Sequence, residues 1–309
     1  MTKIFVDGSQ GTTGLRIFDR LSEFKDIELI TLPEELRKDK DARKEALNSA
    51  DVAFLCLPDD AARESVSLIE NENTVVIDTS TAHRTLDDWA YGFPELSQSH
   101  REKLKSSKRI AVPGCHASGF IALVYPLIEA GAIDEDILLS CFSLTGYSGG
   151  GKKMIAEYEE EPDVLLEAPR QYALGQTHKH LKEMVKISGI NNAPVFCPVV
   201  SSFYSGMEVT VPLFKEQLKN GFTFEKIKAL YKEKYNSELV KYQEDLSEGG
   251  FISAGVLSGK DNMIVSVFGN DDRIILTARY DNLGKGASGA AIECLNIVLG
   301  NTDTQGLEV

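Results

Sequence analysis

The chain has 309 residues, 42% of them apolar, with 33 lysines and arginines against 47 aspartates and glutamates, a formal net charge of −14. That length suits two domains with packed cores, and the acidic balance opposes nonspecific binding to nucleic acid, so any anion site must be built from local cations. No apolar stretch approaches a membrane span and the N-terminus enters a strand rather than a signal core. Cys56, Cys115, Cys141, Cys197 and Cys294 lack disulfide-framework or zinc-site spacing, so a cytoplasmic protein without metal is expected.

Strands and helices alternate from the start: strand 3–7, helix 12–23, strand 27–31, a charged helix near 34–48, strand 52–57, helix 59–70 and strand 75–78. This alternation predicts a parallel sheet covered on both faces. Between the first strand and helix lies Gly8-Ser9-Gln10-Gly11-Thr12-Thr13-Gly14. In this variant of the dinucleotide fingerprint Gly8 allows the turn, Gly11 a close backbone approach to pyrophosphate and Gly14 close helix–strand packing. After the second strand, where NAD enzymes place an acid on the ribose, stands Thr31-Leu32-Pro33, followed by Arg37, Lys38 and Lys40. Cations without a carboxylate favour NADP(H), with Arg37 the chosen ligand, although Lys40 equally suits a solvated helix face. Pro58 lines the expected cofactor cleft, and Ser80 joins the cofactor set. Arg84, after the fourth strand's Ser/Thr cluster, is placed to bind a carboxylate or phosphate.

Val112-Pro113-Gly114-Cys115-His116-Ala117-Ser118-Gly119 puts a thiol where a strand exit turns into an apolar helix. Unpaired N–H groups and the positive helix end there stabilise a thiolate, and the small Ala117 and Ser118 leave room for a ligand. The alternative for a lone cysteine is a buried, inert side chain. Beyond it the strands lengthen (137–147, 196–200, 207–214, 263–270, 273–279), which predicts an α+β domain with a mainly antiparallel sheet; residues 236–262 read as irregular and partly mobile. Ser148 and Gly149, ahead of Lys152 and Lys153, offer a nest-like turn for an anion. His178 and His180 are acid/base candidates; at i and i+2 of an extended stretch only one faces the sulfur. Asn282, Gly284 and Lys285 are expected beside the nicotinamide, Asn282 as a carboxamide partner. The small residues that follow open a last helix through Ile292, Leu295 and Ile297 that returns to the first domain. The expected division is α/β: a Rossmann-type domain of 1–116 and 284–309, and a catalytic and oligomerisation domain of 117–283.

Taken together, Gly8 to Gly14, Cys56-Leu57-Pro58-Asp59-Asp60, Val76 to Arg84, Pro113-Gly114-Cys115, Gly146 to Gly151, His178-Lys179-His180 and Asp281 to Ala291 resemble the short-form N-acetyl-gamma-glutamyl-phosphate reductases. These are relatives of aspartate-semialdehyde dehydrogenase and, more distantly, glyceraldehyde-3-phosphate dehydrogenase. The resemblance implies a glyceraldehyde-3-phosphate dehydrogenase-like C-terminal domain and NADPH-dependent reduction of N-acetyl-L-glutamyl 5-phosphate to the 5-semialdehyde through a Cys115 thioester. It also implies His178 as acid/base, with His180 or Glu183 orienting or binding substrate beside Arg84, Ser118, Ser148 and Gly149, and a homodimer or homotetramer. His116 departs from the tyrosine of many longer-form relatives. A sister acyl-phosphate reductase and a nonenzymatic NADP(H) sensor are the competing readings.

Overall fold

The computed structural model describes residues 1–160 and 163–309. The chain forms two units, Met1–Gly114 with Ala287–Leu307, and Cys115–Gly286 with Glu308–Val309.

In the first unit β1 (Thr2–Asp7), β2 (Ile27–Ile30), β3 (Val52–Leu55), β4 (Val75–Asp78), β5 (Ala90–Tyr91) and β6 (Arg109–Ala111) form one sheet. Its order is β2-β1-β3-β4-β6-β5, and every neighbouring pair is parallel. Parallel neighbours need crossovers, supplied by α1 (Thr12–Ser22), α2 (Lys40–Ser49), α3 (Asp59–Leu68) and α4 (Gln98–Ser106). The pleat of β1 sends Ile4 and Val6 into a core with Ile17, Leu21, Ile292 and Leu295, and Phe5 into another with Leu47, Leu55 and Ala62. Ile292 and Leu295 belong to the chain's last helix, α9 (Gly289–Leu299), which lies in this unit. The helix expected over 34–48 is broken. A single 3₁₀ turn (Glu34–Leu36) precedes α2, because Asp39 is extended (φ −70°, ψ 127°) and its carboxylate caps the Ala42 N–H at 2.8 Å.

In the second unit β7 (Ser140–Gly146), β8 (Arg170–Gln171), β9 (Val195–Ser201), β10 (Met207–Phe214), β11 (Val240–Tyr242), β12 (Met263–Gly269) and β13 (Arg273–Tyr280) form a sheet ordered β11-β12-β13-β10-β7-β9-β8. Only β11–β12 and β7–β9 are parallel. Helices α5 (Cys115–Glu129), α6 (Gly151–Glu159), α7 (His180–Ser188) and α8 (Phe224–Lys234) complete it. α5 is buried nearly all round, as a helix without a polar face must be. Pro126 lies inside it and lacks the N–H that would reach the Ala122 carbonyl; the Tyr235 hydroxyl donates there instead at 2.7 Å, and that of Tyr231 donates to Leu123 O. The segment expected to be irregular carries β11, and its Glu248 carboxylate accepts from Arg279 at 2.6 Å.

Candidate active site

The glycine loop closes tightly at the head of α1. Gly8 has φ +87°, and a Cβ there would stand 2.4 Å from the Cys56 carbonyl oxygen; one at Gly14 would stand 2.3 Å from that of Gly8. Both positions exclude any side chain. A Cβ at Gly11 would meet nothing nearer than 3.6 Å, so the backbone is open there. Gly11 is the helix N-cap and offers no side chain to the first-turn N–H groups, and the shielded Thr12 hydroxyl oxygen has no hydrogen-bond partner among the described residues. Unspent donors on an open glycine backbone fit a pyrophosphate. A cavity of about 790 Å³ adjoins the loop, lined by Gly8, Ser9, Gln10, Thr31, Arg37 and Lys38 among others. Arg37 and the loop are thus brought together; Lys40 heads α2 and is exposed.

Other expected residues of the first unit sit in loops after strands. Pro58 caps α3. Ser80 donates to the buried Asp78 carboxylate through both N–H (2.9 Å) and hydroxyl (2.7 Å), and His83 Nδ1 lies 2.6 Å from the same group. Arg84 is buried with one guanidinium nitrogen on the Thr79 carbonyl at 2.8 Å.

In the second unit Cys115 is the first residue of α5 and is half-buried. A π turn (Gly284–Ser288) lies against it: a Cβ at Gly286 would come within 3.1 Å of Cys115 Cβ. Within that turn Lys285 is buried. Asn282, just before it, has partners for both ends of its amide, accepting from Gly206 N–H at 2.9 Å and donating to Ser148 Oγ at 3.0 Å. Its observed work is to hold Ser148 in place. Gly149 is exposed beside them, Lys152 and Lys153 are exposed in α6, Ser118 is buried in α5, and Glu183 is buried in α7.

The two histidines do not alternate as an extended pair. Lys179 has helical angles (φ −57°, ψ −27°), so the chain is already turning into α7, and the His178 and His180 rings meet edge to face at 4.7 Å. The His180 N–H donates to His178 Nδ1 at 3.2 Å. Both rings pack on His116, at 5.8 and 5.7 Å. His116 is therefore the hub of the cluster. It is buried, with Nδ1 2.6 Å from Ser143 Oγ and Nε2 2.6 Å from the Tyr172 hydroxyl. Burial, with His178 adding to it, lowers its pKa to about 3. Burial and then Lys179 hold His178 below the ordinary histidine range. Tyr172 and Ser143 were not picked out from the sequence.

Comparison with known proteins now bears on this arrangement. Residues 33–106 match the semialdehyde dehydrogenase NAD binding domain family and 115–282 the semialdehyde dehydrogenase dimerisation domain family. N-acetyl-gamma-glutamyl-phosphate reductases of Brucella ovis and Brucella canis are each 45% identical over 306 residues, covering 96% of this chain and 99% of theirs. The chain belongs to the N-acetyl-gamma-glutamyl-phosphate reductase family. Aspartate semialdehyde dehydrogenase II of Vibrio cholerae shares the family's fold (TM-score 0.72, 16% identity, 97% of this chain and 98% of that one). So does the Candida albicans enzyme with NADP (TM-score 0.69, 16% identity, 97% and 98%). No helix among the described residues is long and apolar enough to cross a membrane.

Proposed function

We propose that the protein reduces N-acetyl-L-glutamyl 5-phosphate to N-acetyl-L-glutamate 5-semialdehyde and phosphate, with NADPH as reductant. The observation that carries this reading is the Cys115 thiol at the head of α5 beside a cluster of three histidines, in a chain 45% identical to reductases of that name. We assign the cofactor to the unit of Met1–Gly114 and Ala287–Leu307, and the chemistry and subunit contacts to Cys115–Gly286.

In this reading the Cys115 thiolate, favoured by the first-turn N–H groups of α5, attacks the acyl carbon; the bond to phosphate breaks and a thioester remains. A bound nicotinamide cofactor supplies the hydride that reduces it. With Nδ1 accepting from the His180 N–H, the neutral His178 ring carries its proton on Nε2 and offers it to the oxygen that takes up charge. Collapse of the thiohemiacetal, with its hydroxyl proton going back to His178 Nε2, releases the aldehyde and returns the thiolate. Arg84, Ser118, Ser148, Gly149 and Glu183 are assigned to substrate. Gly8 to Gly14, Arg37, Pro58, Ser80, Asn282, Gly284 and Lys285 are assigned to the cofactor, with Arg37 and Lys38 beside the loop favouring a 2′-phosphate.

Assembly as a homodimer or homotetramer is supported by the match to a dimerisation domain and by Phe142, Val195, Phe214 and Ile275, each at least 43% exposed on one face of the second sheet. Five cysteines, none in a disulfide among the described residues, suit a reducing cytoplasm. The test is phosphate-dependent NADP⁺ reduction with N-acetyl-L-glutamate 5-semialdehyde, beside aspartate semialdehyde and a Cys115→Ser control. Turnover of the N-acetylated aldehyde that vanishes in the variant supports the reading; preference for aspartate semialdehyde moves the substrate to the sister enzymes.

A further inference from the structure

Asp7 is the last residue of β1 and leads directly into Gly8, the first glycine of the loop assigned to the pyrophosphate. Its side chain is buried and lines the same cavity as that loop, so an uncompensated carboxylate there would repel a phosphate. Arg43 of α2, itself buried, meets it: Nε donates to Asp7 Oδ2 at 3.2 Å and Nη2 to the same oxygen at 3.0 Å. Ser65 Oγ of α3 lies 2.8 Å from that oxygen and accepts from Arg43 Nη2 at 2.6 Å, while Arg43 Nη1 donates to Glu64 at 3.0 Å. Side chains from α2 and α3 thus converge on the end of β1. Among the described residues, the cavity is lined by Asp7, Asp19 and Glu34 and by Arg37, Lys38 and Arg43, three carboxylates against three cations. Without Arg43 the lining would be negative, in a chain that already carries a net charge of −14.

We propose that Arg43 is a positioning residue of the cofactor site, which neutralises and fixes the Asp7 carboxylate so that the glycine loop admits the cofactor's pyrophosphate. Its guanidinium faces Asp7 and Glu64, whereas Arg37 and Lys38 are exposed along the same cavity. Arg43 therefore acts through Asp7 on the pyrophosphate, which NADP(H) and NAD(H) share, and does not distinguish the two cofactors. The proposal rests on the assignment of the glycine loop to a dinucleotide.

Equilibrium binding of NADP⁺ and of NAD⁺ to the full chain, measured by titration calorimetry, is compared in the parent, Arg43→Met, Asp7→Asn and the double variant. Arg43→Met leaves the buried carboxylate without its cation and is expected to raise Kd about tenfold for both nucleotides alike. Asp7→Asn removes the carboxylate and leaves the guanidinium, with Glu64 still its partner, and is expected to tighten both several-fold. The double variant is expected to return to within about twofold of the parent. Added salt should narrow the gap between Arg43→Met and the parent. A merely structural tie would weaken binding in both single variants. An unchanged Kd in Arg43→Met overturns the proposal. So does weaker binding in Asp7→Asn, which decides the matter if Arg43→Met does not fold. A parent protein that binds neither nucleotide overturns the assignment of the loop, and the proposal with it.

Discussion

The Tyr280 hydroxyl is interposed between the Cys115 carbonyl and the Gly119 N–H, donating to the first and accepting from the second at 3.0 Å. An ideal helix pairs those two backbone groups directly, so the first turn of α5, which carries the nucleophile, is held from β13. Gly119 makes the approach possible, since a Cβ there would stand 2.7 Å from the Tyr280 oxygen and 2.6 Å from Val209 Cγ2. Tyr280→Phe removes both bonds. It is expected to cost about 1–3 kcal/mol in urea unfolding and to lower kcat about tenfold with a smaller change in KM, because the sulfur loses its placement. Full activity in this variant would show that the turn holds itself.

Tyr235 serves the same helix for a different reason. Pro126 leaves the Ala122 carbonyl without its helical donor in a fully buried position, and the Tyr235 hydroxyl replaces it at 2.7 Å. Tyr235→Phe strands that carbonyl away from water and is expected to destabilise the fold by about 1–3 kcal/mol. Pro126→Ala in the same background supplies the missing N–H and is expected to restore much of the loss, as a urea titration of the four proteins would reveal.

Acid sensitivity follows from His116. In the unfolded chain an imidazole takes up a proton as pH falls through 6.5, whereas the folded ring resists until about 3. Between those values the unfolded state binds the extra proton, so this group's contribution is fully present above the upper value and is lost as pH falls toward the lower. Its share of the slope is at most about 1.4 kcal/mol per pH unit. His116→Gln is expected to flatten the stability curve in that window, measured as urea unfolding free energy against pH. An equal slope in both proteins would place the acid sensitivity elsewhere.

Cofactor preference is expected to reside in Arg37. It lines the cavity at the glycine loop together with Lys38, and Thr31 stands where an acid would favour a free ribose. Arg37→Ala removes charge-assisted hydrogen bonds of about 1.5–3 kcal/mol. The KM for NADP⁺ is expected to rise about 10–100-fold, with that for NAD⁺ little changed. Equal losses with both cofactors would mean that Arg37 does not read the 2′-phosphate.

What could be read from the sequence is what depends on neighbours along the chain. The strands of the first sheet are short apolar runs between turn residues, and Gly8 announced a turn that its φ of +87° bears out. Local cues also misled. The charged run after Glu34 has helical composition, yet the Asp39 cap overrides it, and the alternation argument for His178 and His180 fails on the helical angles of Lys179. Ser143 and Tyr172 lie 27 and 56 residues from His116 and meet it only through the second unit's folding. A serine within a strand and a tyrosine ahead of a turn carry no local mark of such a partnership, so the sequence shows His116 only as a departure from the tyrosine of many longer-form relatives.

Lys179 links that misread segment to activity. Burial is the larger cause of the lowered His178 pKa and the Lys179 charge is the second. Protonating His178 would displace the His180 N–H from Nδ1 and convert the neutral donor assigned to catalysis into a cation. The acid limb of kcat/KM should therefore track this group, with rate falling as pH drops through its pKa. Lys179→Met removes a neighbouring positive charge, which favours the imidazolium and moves the pKa upward, while burial still holds it below the ordinary histidine value. The acid limb is expected to shift to higher pH with the alkaline plateau unchanged, and raising the salt concentration should narrow the difference between the two proteins. Superimposable profiles for Lys179→Met and the parent would assign the limb to another group, and a His180→Asn profile would then show whether the second ring of the pair carries it.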